Sequence, residues 1–283
     1  MTTEKLRTYD GAVTVVTGAA SGIGRSLAEE LARRGSEVVL ADLQIELAEE
    51  AAAAIRATGK KAQALKLDVR DAPAVDSLLR DTFERAGRLD YLFNNAGIGI
   101  AGPFEKHTLE DWDQIIGVNF RGVIHGVQGA YPIMQRQGFG HIVNTASLAG
   151  LVPSAGMVTY TATKHAVVGL STALRPEAAL SGIRVSVLCP GLIRTAITED
   201  GGKYGKIYAA WISLEQQRKL IEQLRPMAPD QFARQALNAV ARNAAIIVLP
   251  SWVGLMWWMN RISPALVMFL MQKAMQQTLA PKI

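Results

Sequence analysis

Regular alternation of short apolar runs with longer amphipathic stretches constrains this chain more than any other feature. The runs Ala12–Thr17, Glu37–Ala41, Ala62–Leu67, Leu89–Phe93, His141–Thr145 and Arg184–Leu188 read as strands, and Ile246–Leu249 as a further one. Between them Ile23–Arg34, Gln44–Thr58, Pro73–Ala86, Leu109–Gln137 and Met157–Ser181 read as helices, the third with a proline at its start. Strands that are apolar almost throughout are buried on both faces. The expected architecture is α/β: a single doubly wound parallel sheet of about seven strands flanked by helices.

The 283 residues suit one such domain over residues 1–249, and no repeat, low-complexity tract or linker divides it. Residues 192–229 break the alternation. They carry Tyr204, Tyr208 and Trp211 without a clear strand, and read as a lid over a site. Net charge is +5, but the basic residues are scattered and no run of about five or six like charges occurs, which argues against nucleic acid as a partner. The lone Cys189 lies in an apolar strand and reads as a buried thiol. It excludes an intrachain disulfide and suits a reducing cytoplasm. The polar stretch Met1–Gly11 does not read as a secretory signal.

The first strand runs into Thr17-Gly18-Ala19-Ala20-Ser21-Gly22-Ile23-Gly24 and then directly into a helix. Glycines allow a tight turn and close backbone approach, while a helix N-terminus offers free N–H groups and a positive dipole end. Strand, turn and helix together read as a cradle for a dinucleotide pyrophosphate. The second strand ends at Asp42, 18 positions after Gly24, close to the spacing of a carboxylate that takes the adenosine ribose hydroxyls. A carboxylate there repels a 2′-phosphate, and neither Leu43 nor Gln44 is basic, so NAD is expected over NADP. The ordinary alternative for Asp42 is a helix cap.

Tyr160-Thr161-Ala162-Thr163-Lys164 places a phenol and an amine four apart, on one helix face. Ser147 lies thirteen residues earlier at a strand end, Asn94-Asn95-Ala96-Gly97 closes the fourth strand, and Pro190-Gly191 closes the sixth, with Thr195 following. In this order, with the glycine turn, the chain resembles the short-chain dehydrogenase/reductase family from about Gly11 to Val248. The resemblance implies a catalytic set of Ser147, Tyr160 and Lys164 with Asn119 on a neighbouring helix. It implies that Gly18, Ser21, Gly22, Ile23 and Gly24 hold the pyrophosphate, Asp42 and Leu43 the ribose, and Asp68 and Val69 the adenine. Asn95, Ala96 and Gly97 would line the cofactor at the sheet edge, and Pro190, Gly191, Ile193 and Thr195 its nicotinamide end. It also implies a homodimer or homotetramer, with the two longest helices pairing between subunits.

Such a set suits hydride transfer between a cofactor and a secondary alcohol or ketone. Tyrosine, with a usual pKa of about 10, is a poor base at neutral pH, and the Lys164 ammonium is expected to lower it. Ser147 would donate to the substrate oxygen. The resemblance gives Lys164 a second task on the nicotinamide ribose and Asn119 a water that links Lys164 to solvent. Each residue has an ordinary alternative: a surface helix pair for Tyr160 and Lys164, a strand-end cap for Ser147, a backbone-satisfied amide for Asn119. The four histidines show no metal-ligand spacing, and no metal is expected.

Ile98, Ile100, Phe104, Leu148, Leu151, Val152, Met157, Tyr204, Tyr208 and Trp211 are the expected pocket walls, and they point to a small hydrophobic substrate of steroid, terpenoid or lipid type. Two competing readings are a 3-oxoacyl-thioester reductase and a non-catalytic NAD-binding redox sensor. The apolar segment 250–283, with Trp252, Trp257 and Trp258, is expected to pack on the domain or at a subunit interface. Peripheral membrane contact through residues 250–271 and a membrane span are its alternatives, so a cytoplasmic or membrane-associated placement is expected.

Overall fold

The computed structural model describes residues 5–197, 205–208, 215, 219 and 222–279. Tyr204 and Trp211, two of the expected pocket walls, lie outside the described residues. In chain order the elements are β1 (Val13–Thr17), α1 (Gly22–Arg33), β2 (Glu37–Asp42), α2 (Ile45–Ala57), β3 (Ala62–Lys66), α3 (Ala72–Ala86), β4 (Tyr91–Asn94), β5 (Ile100–Ala101), α4 (Leu109–Ile116), α5 (Gly122–Gln137), β6 (Gly140–Thr145), α6 (Val158–Ala179), β7 (Ile183–Pro190), β8 (Lys206–Ile207), α7 (Pro229–Ala241), β9 (Ile246–Leu249), α8 (Gly254–Ile262) and α9 (Pro264–Leu279).

Seven strands form one parallel sheet in the order β3-β2-β1-β4-β6-β7-β9, as the alternation of the sequence implies. Successive side chains along each strand serve opposite faces. Val15, Val39, Leu92, Ile142 and Val187 pack with the apolar residues of α3, α5 and α6, such as Leu79, Val127 and Val167. Their neighbours Val16, Val38, Phe93, Val143 and Leu188 pack with α1, α2 and α7 through Leu27, Leu31, Ala52 and Leu237. Two apolar layers thus sandwich the sheet, and the order of its strands reverses between β1 and β4. Ligands of open α/β sheets bind beyond the carboxyl ends of the strands at such a switch point.

Local chemistry sets the helix ends. The Asp71 carboxylate accepts from Ala74 N–H at 3.0 Å to start α3, and Gly87 ends it at φ +73°, a conformation that a Cβ disfavours. Thr108 and Asp111 form a reciprocal capping box at α4. Leu109–Gln137 is not one uninterrupted α-helix. A π-helical turn at Gly117–Arg121 separates α4 from α5 and inserts an extra residue per turn at Asn119.

Away from the main sheet, β5 pairs with β8. Asp111, fully buried, accepts from Lys206 Nζ at 2.6 Å and from the Tyr208 hydroxyl, which ties the described part of the 192–229 segment to the start of α4. The tail returns to the body at three points. Val253 is buried against Gly191, Trp257 packs on the apolar layer that holds Leu148, and Asn260 Nδ2 donates to the Leu151 carbonyl at 3.0 Å.

Candidate active site

The glycine turn is built by close approach. Gly18 adopts φ +67°, and a Cβ there would fall 2.7 Å from Ala96 Cα. A Cβ on Gly24 would fall 2.0 Å from Gly18 O and 2.6 Å from Asn95 Nδ2, so only glycine lets α1 seat against the ends of β1 and β4. Gly22, at φ +53°, faces Thr195, whose Cγ2 would be 3.2 Å from a Cβ. The segment that follows β7 therefore touches the glycine turn. Ser21 is the N-cap of α1 but makes no side-chain cap bond, and the first turn holds no acidic residue. Its amides and dipole thus face outward with positive polarity, which suits an anionic ligand.

Asp42 is buried at the end of β2. Its Oδ2 accepts from Ala20 N–H at 2.9 Å, and its Oδ1 accepts from Gln44 N–H at 2.9 Å. The carboxylate clasps the glycine turn itself, and each oxygen keeps a second lone pair for a further donor. Half-buried Leu43 follows it. Asp68 is held by Arg70, through a 2.6 Å contact between Nη2 and Oδ2, and this guanidinium keeps its carboxyl below the usual range. Val69 is buried, and its carbonyl accepts from His125 Nδ1 at 2.8 Å.

At the sheet edge, Asn95 Nδ2 donates to Thr17 O at 3.1 Å, and Thr17 Oγ1 accepts from the N–H groups of Asn95 and Ala96 at 3.0 and 3.1 Å. A Cβ on Gly97 would lie 3.3 Å from Asn119 Oδ1 and 3.5 Å from Lys164 Nζ. The strand-end glycine is thus the point at which the cradle meets the Lys164 end of the site. Pro190 and Gly191 close β7, Gly191 N–H donates to Leu249 O at 2.8 Å, and buried Ile193 bridges to Met227.

Ser147 follows β6, with Tyr160 and Lys164 one turn apart on α6. Ser147 Oγ accepts from Ala149 N–H at 3.2 Å and donates to Pro190 O at 3.4 Å, so it does cap the short 3-10 turn Leu148–Gly150. Lys164 is buried, with Nζ 5.4 Å from the Tyr160 ring centroid and 3.0 Å from Thr145 O, to which it donates.

The electrostatics differ from the expectation that Lys164 lowers the phenol pKa. Burial raises Tyr160, only partly offset by the neighbouring Ser147 hydroxyl. Burial also brings Lys164 down to about 8, so its charge is itself weakened by the same desolvation.

Asn119 uses its amide on backbone. Oδ1 accepts from Ile98 N–H at 2.8 Å, while Nδ2 donates to Ile98 O at 3.0 Å and to Thr163 Oγ1 at 3.4 Å. The backbone-satisfied alternative left open by the sequence is therefore present, and the π-helical turn carries the amide to that position. Among the expected walls, Ile98, Ile100, Leu151 and Val152 are buried in the packing, Leu148, Met157 and Tyr208 are half-buried, and Phe104 is exposed. Ile98, Ile100 and Ile115 form an apolar cluster on which Tyr160 and Tyr208 rest.

Several supporting residues were given no role by the sequence. Thr17 and Thr145 bind the strand ends together, with Thr145 Oγ1 donating to Asn95 Oδ1 at 3.3 Å. Behind them Asn94 Nδ2 donates to Asn144 Oδ1 at 2.9 Å, and Asn144 Nδ2 to Ser171 Oγ at 3.0 Å. Polar residues inside otherwise apolar strands are the signal that could have found Asn94, Asn144 and Thr145.

A model of the short chain dehydrogenase family matches residues 12–203. The chain is 39% identical over 194 residues to levodione reductase of Leifsonia aquatica, covering 68% of this chain and 73% of that protein. It is 37% identical over 190 residues to meso-2,3-butanediol dehydrogenase of Serratia marcescens, covering 67% and 74%. The crystal structure of a short-chain dehydrogenase/reductase from Burkholderia phymatum in complex with NAD superposes with a TM-score of 0.82 at 32% identity, over 92% of this chain and 96% of that one.

Proposed function

The chain belongs to the short-chain dehydrogenase family of oxidoreductases, and from that premise we propose that it interconverts a hydrophobic secondary alcohol and its ketone with NAD, using Tyr160 as the acid/base. The observation that carries this reading is the meeting of the two half-sites at Gly97, whose Cβ position lies 3.5 Å from Lys164 Nζ while Lys164 packs over the Tyr160 ring.

The residues present fit a nicotinamide dinucleotide. The uncapped start of α1, with glycines at Gly18, Gly22 and Gly24, would hold the pyrophosphate, and Ser21 and Ile23 lie on the same turn. Asp42 and Leu43 would take the adenosine ribose, Asp68 and Val69 would flank the adenine, and Asn95, Ala96 and Gly97 would line the sheet edge. Pro190, Gly191, Ile193 and Thr195 would bound the nicotinamide end. Asp42 supports NAD over NADP, since a buried carboxylate repels a 2′-phosphate. When bound, the cofactor supplies the hydride acceptor or donor.

The chain's own part is to hold the substrate oxygen and move its proton. Ser147 Oγ donates to that oxygen as charge builds on it. In oxidation Tyr160 Oη, as phenolate, takes the hydroxyl proton, and in reduction the phenol returns it. Lys164, fixed by Thr145 O, is held beside the phenol, where its ammonium, when charged, would work against the cost that burial puts on the phenolate. Asn119 fixes Ile98 next to Gly97 and closes the floor of the site. A hydrophobic substrate is supported by the Ile98–Ile100–Ile115 cluster against which Tyr160 packs and by the half-buried apolar side chains of Leu148 and Met157.

The test is cofactor reduction followed by absorbance, with NAD⁺ and NADP⁺ against steroid, terpenoid and fatty secondary alcohols and against small sugars. Turnover with NAD⁺ on apolar alcohols, lost in Tyr160→Phe, is the expected result. Efficient turnover of small sugars instead would overturn the substrate reading. NADH binding without turnover of any alcohol would overturn the catalytic one.

A further inference from the structure

We infer that α8 and α9 form a docking face for an anionic lipid surface, lying in the headgroup region beside the mouth of the site. In α8, Leu255, Trp258, Met259 and Ile262 recur at the spacing of one helical face, and they are 65%, 57%, 37% and 81% exposed. The other side of the helix is anchored through Trp257 and Asn260. In α9, Leu266, Met268, Phe269 and Leu270 are each about half exposed, and Val267 is buried. Successive helical positions turn by about 100°, so these four residues cover an arc of roughly 200° on the side of the helix away from Val267. A helix that turns a broad apolar side outward, with polar residues such as Gln272 and Lys273 following in its later turns, has the make-up of an interfacial helix. Soluble surfaces rarely leave large contiguous apolar patches in water.

The charge pattern selects the occupant. Residues 231–283 contain Arg234, Arg242, Arg261, Lys273 and Lys282 and no Asp or Glu. Arg261 sits 5.5 Å from the Trp257 ring and 5.8 Å from the Trp258 ring, and Lys273 Nζ sits 4.8 Å from the Phe269 ring. Neither cation has an acidic partner among the described residues. Aromatic rings alternating with unpaired cations, next to wholly apolar turns, match the amphipathic profile of a membrane interface. A straight span is not the geometry, although Ser251–Ile262 and Pro264–Gln276 together have the length and composition of a broken one. Among the described residues no single helix is long and apolar enough to cross a membrane, and Ser251–Ile262 and Pro264–Gln276 meet at a bend of 117°.

Docking can be measured without turnover, so its failure leaves the hydride-transfer reading untouched. The full chain is floated with vesicles of phosphatidylcholine alone and of phosphatidylcholine with phosphatidylglycerol, and its mass in solution is read by light scattering. Association with the anionic vesicles is expected, at least tenfold weaker on phosphatidylcholine alone. Ile262→Glu combined with Phe269→Glu is expected to abolish it, with NADH binding unchanged as the check on folding. Arg261→Gln combined with Lys273→Gln should remove only the preference for anionic lipid. Absence of flotation on both vesicles overturns the inference. So does conversion of a dimer to a monomer by the Glu pair, which would make the face a contact between copies.

Discussion

Lys164 donates from Nζ to the Thr145 carbonyl at 3.0 Å, which ties the middle of α6 to the end of β6. That bond fixes the direction of the ammonium as well as its place. Two donors remain on it for a ribose and a phenolate. Lys164→Met is expected to lower kcat/KM for alcohol oxidation by about 10²–10⁴-fold, the range of a lost acid–base contribution. Steady-state kinetics with a parallel NADH titration checks it.

Burial raises the Tyr160 pKa, so the phenol is the dominant form at neutral pH. Oxidation needs the phenolate, and its rate is expected to climb with pH by about tenfold per unit while the phenol predominates. Ketone reduction needs the phenol, so it stays level and falls only on the alkaline side. Burial places Lys164 at about 8, which predicts an additional inflection near that pH that Lys164→Met abolishes. Initial rates in both directions across pH test this, and an oxidation rate that falls toward alkaline pH would count against Tyr160 as the base.

Two glycine substitutions should move stability in opposite directions. A Cβ on Gly24 meets the Gly18 carbonyl oxygen at 2.0 Å, and backbone cannot swing aside. Gly24→Ala should cost about 1–3 kcal/mol and most NADH affinity. Gly169 lies exposed within α6 with nothing near its Cβ position, so Gly169→Ala should stabilise by about 0.4–1 kcal/mol. Urea denaturation of both variants decides the matter.

His141 is fully buried on β6, and its Nε2 lies 2.9 Å from Ser186 Oγ. Burial, with Arg184 and Arg175 nearby, lowers its pKa to about 3. An unfolded histidine titrates near pH 6.5, so the unfolded chain binds this proton first as pH falls. The associated stability is complete above about pH 6.5 and declines by about 1.4 kcal/mol per unit toward pH 3. Denaturation midpoints between those limits should show that slope, and His141→Asn should flatten it.

Cys189 lies within β7 without solvent contact, and burial pushes its thiol up to about 12. The folded protein should resist an aromatic disulfide reagent that reacts at once in denaturant. Rapid labelling of the native state would show that β7 opens locally.

The main sheet was legible because it is written locally. Each strand is a contiguous apolar run, and the strand ends Ala12 and Leu188 differ from the observed Val13 and Pro190 by no more than two residues. Ser147, Tyr160 and Lys164 are legible because spacing along one helix and one strand end brings them together. The β5–β8 pairing and the Asp111–Lys206 ion pair were not legible, because their partners lie about a hundred residues apart and carry no short-range signal. The π-helical turn at Asn119 adds one residue to a turn without disturbing the apolar pattern that a periodicity reading follows. The direction of the Tyr160 pKa was missed because spacing predicts a neighbour's charge but not the depth of burial that opposes it.

Asp42 joins two tasks in one carboxylate, since it would select the ribose and it also clasps Ala20 and Gln44. Asp42→Ser is expected to narrow the preference for NAD⁺ and, in the same variant, to lower the melting temperature by a few degrees, as loss of buried charge-assisted bonds does. Coenzyme choice in this chain is therefore not a free dial. A lineage drifting toward a phosphorylated coenzyme would first pass through sequences whose nucleotide turn has lost its clasp, unless a second change re-ties Ala20 beforehand. The bond that shapes the turn acts as a ratchet on what the turn can learn to hold.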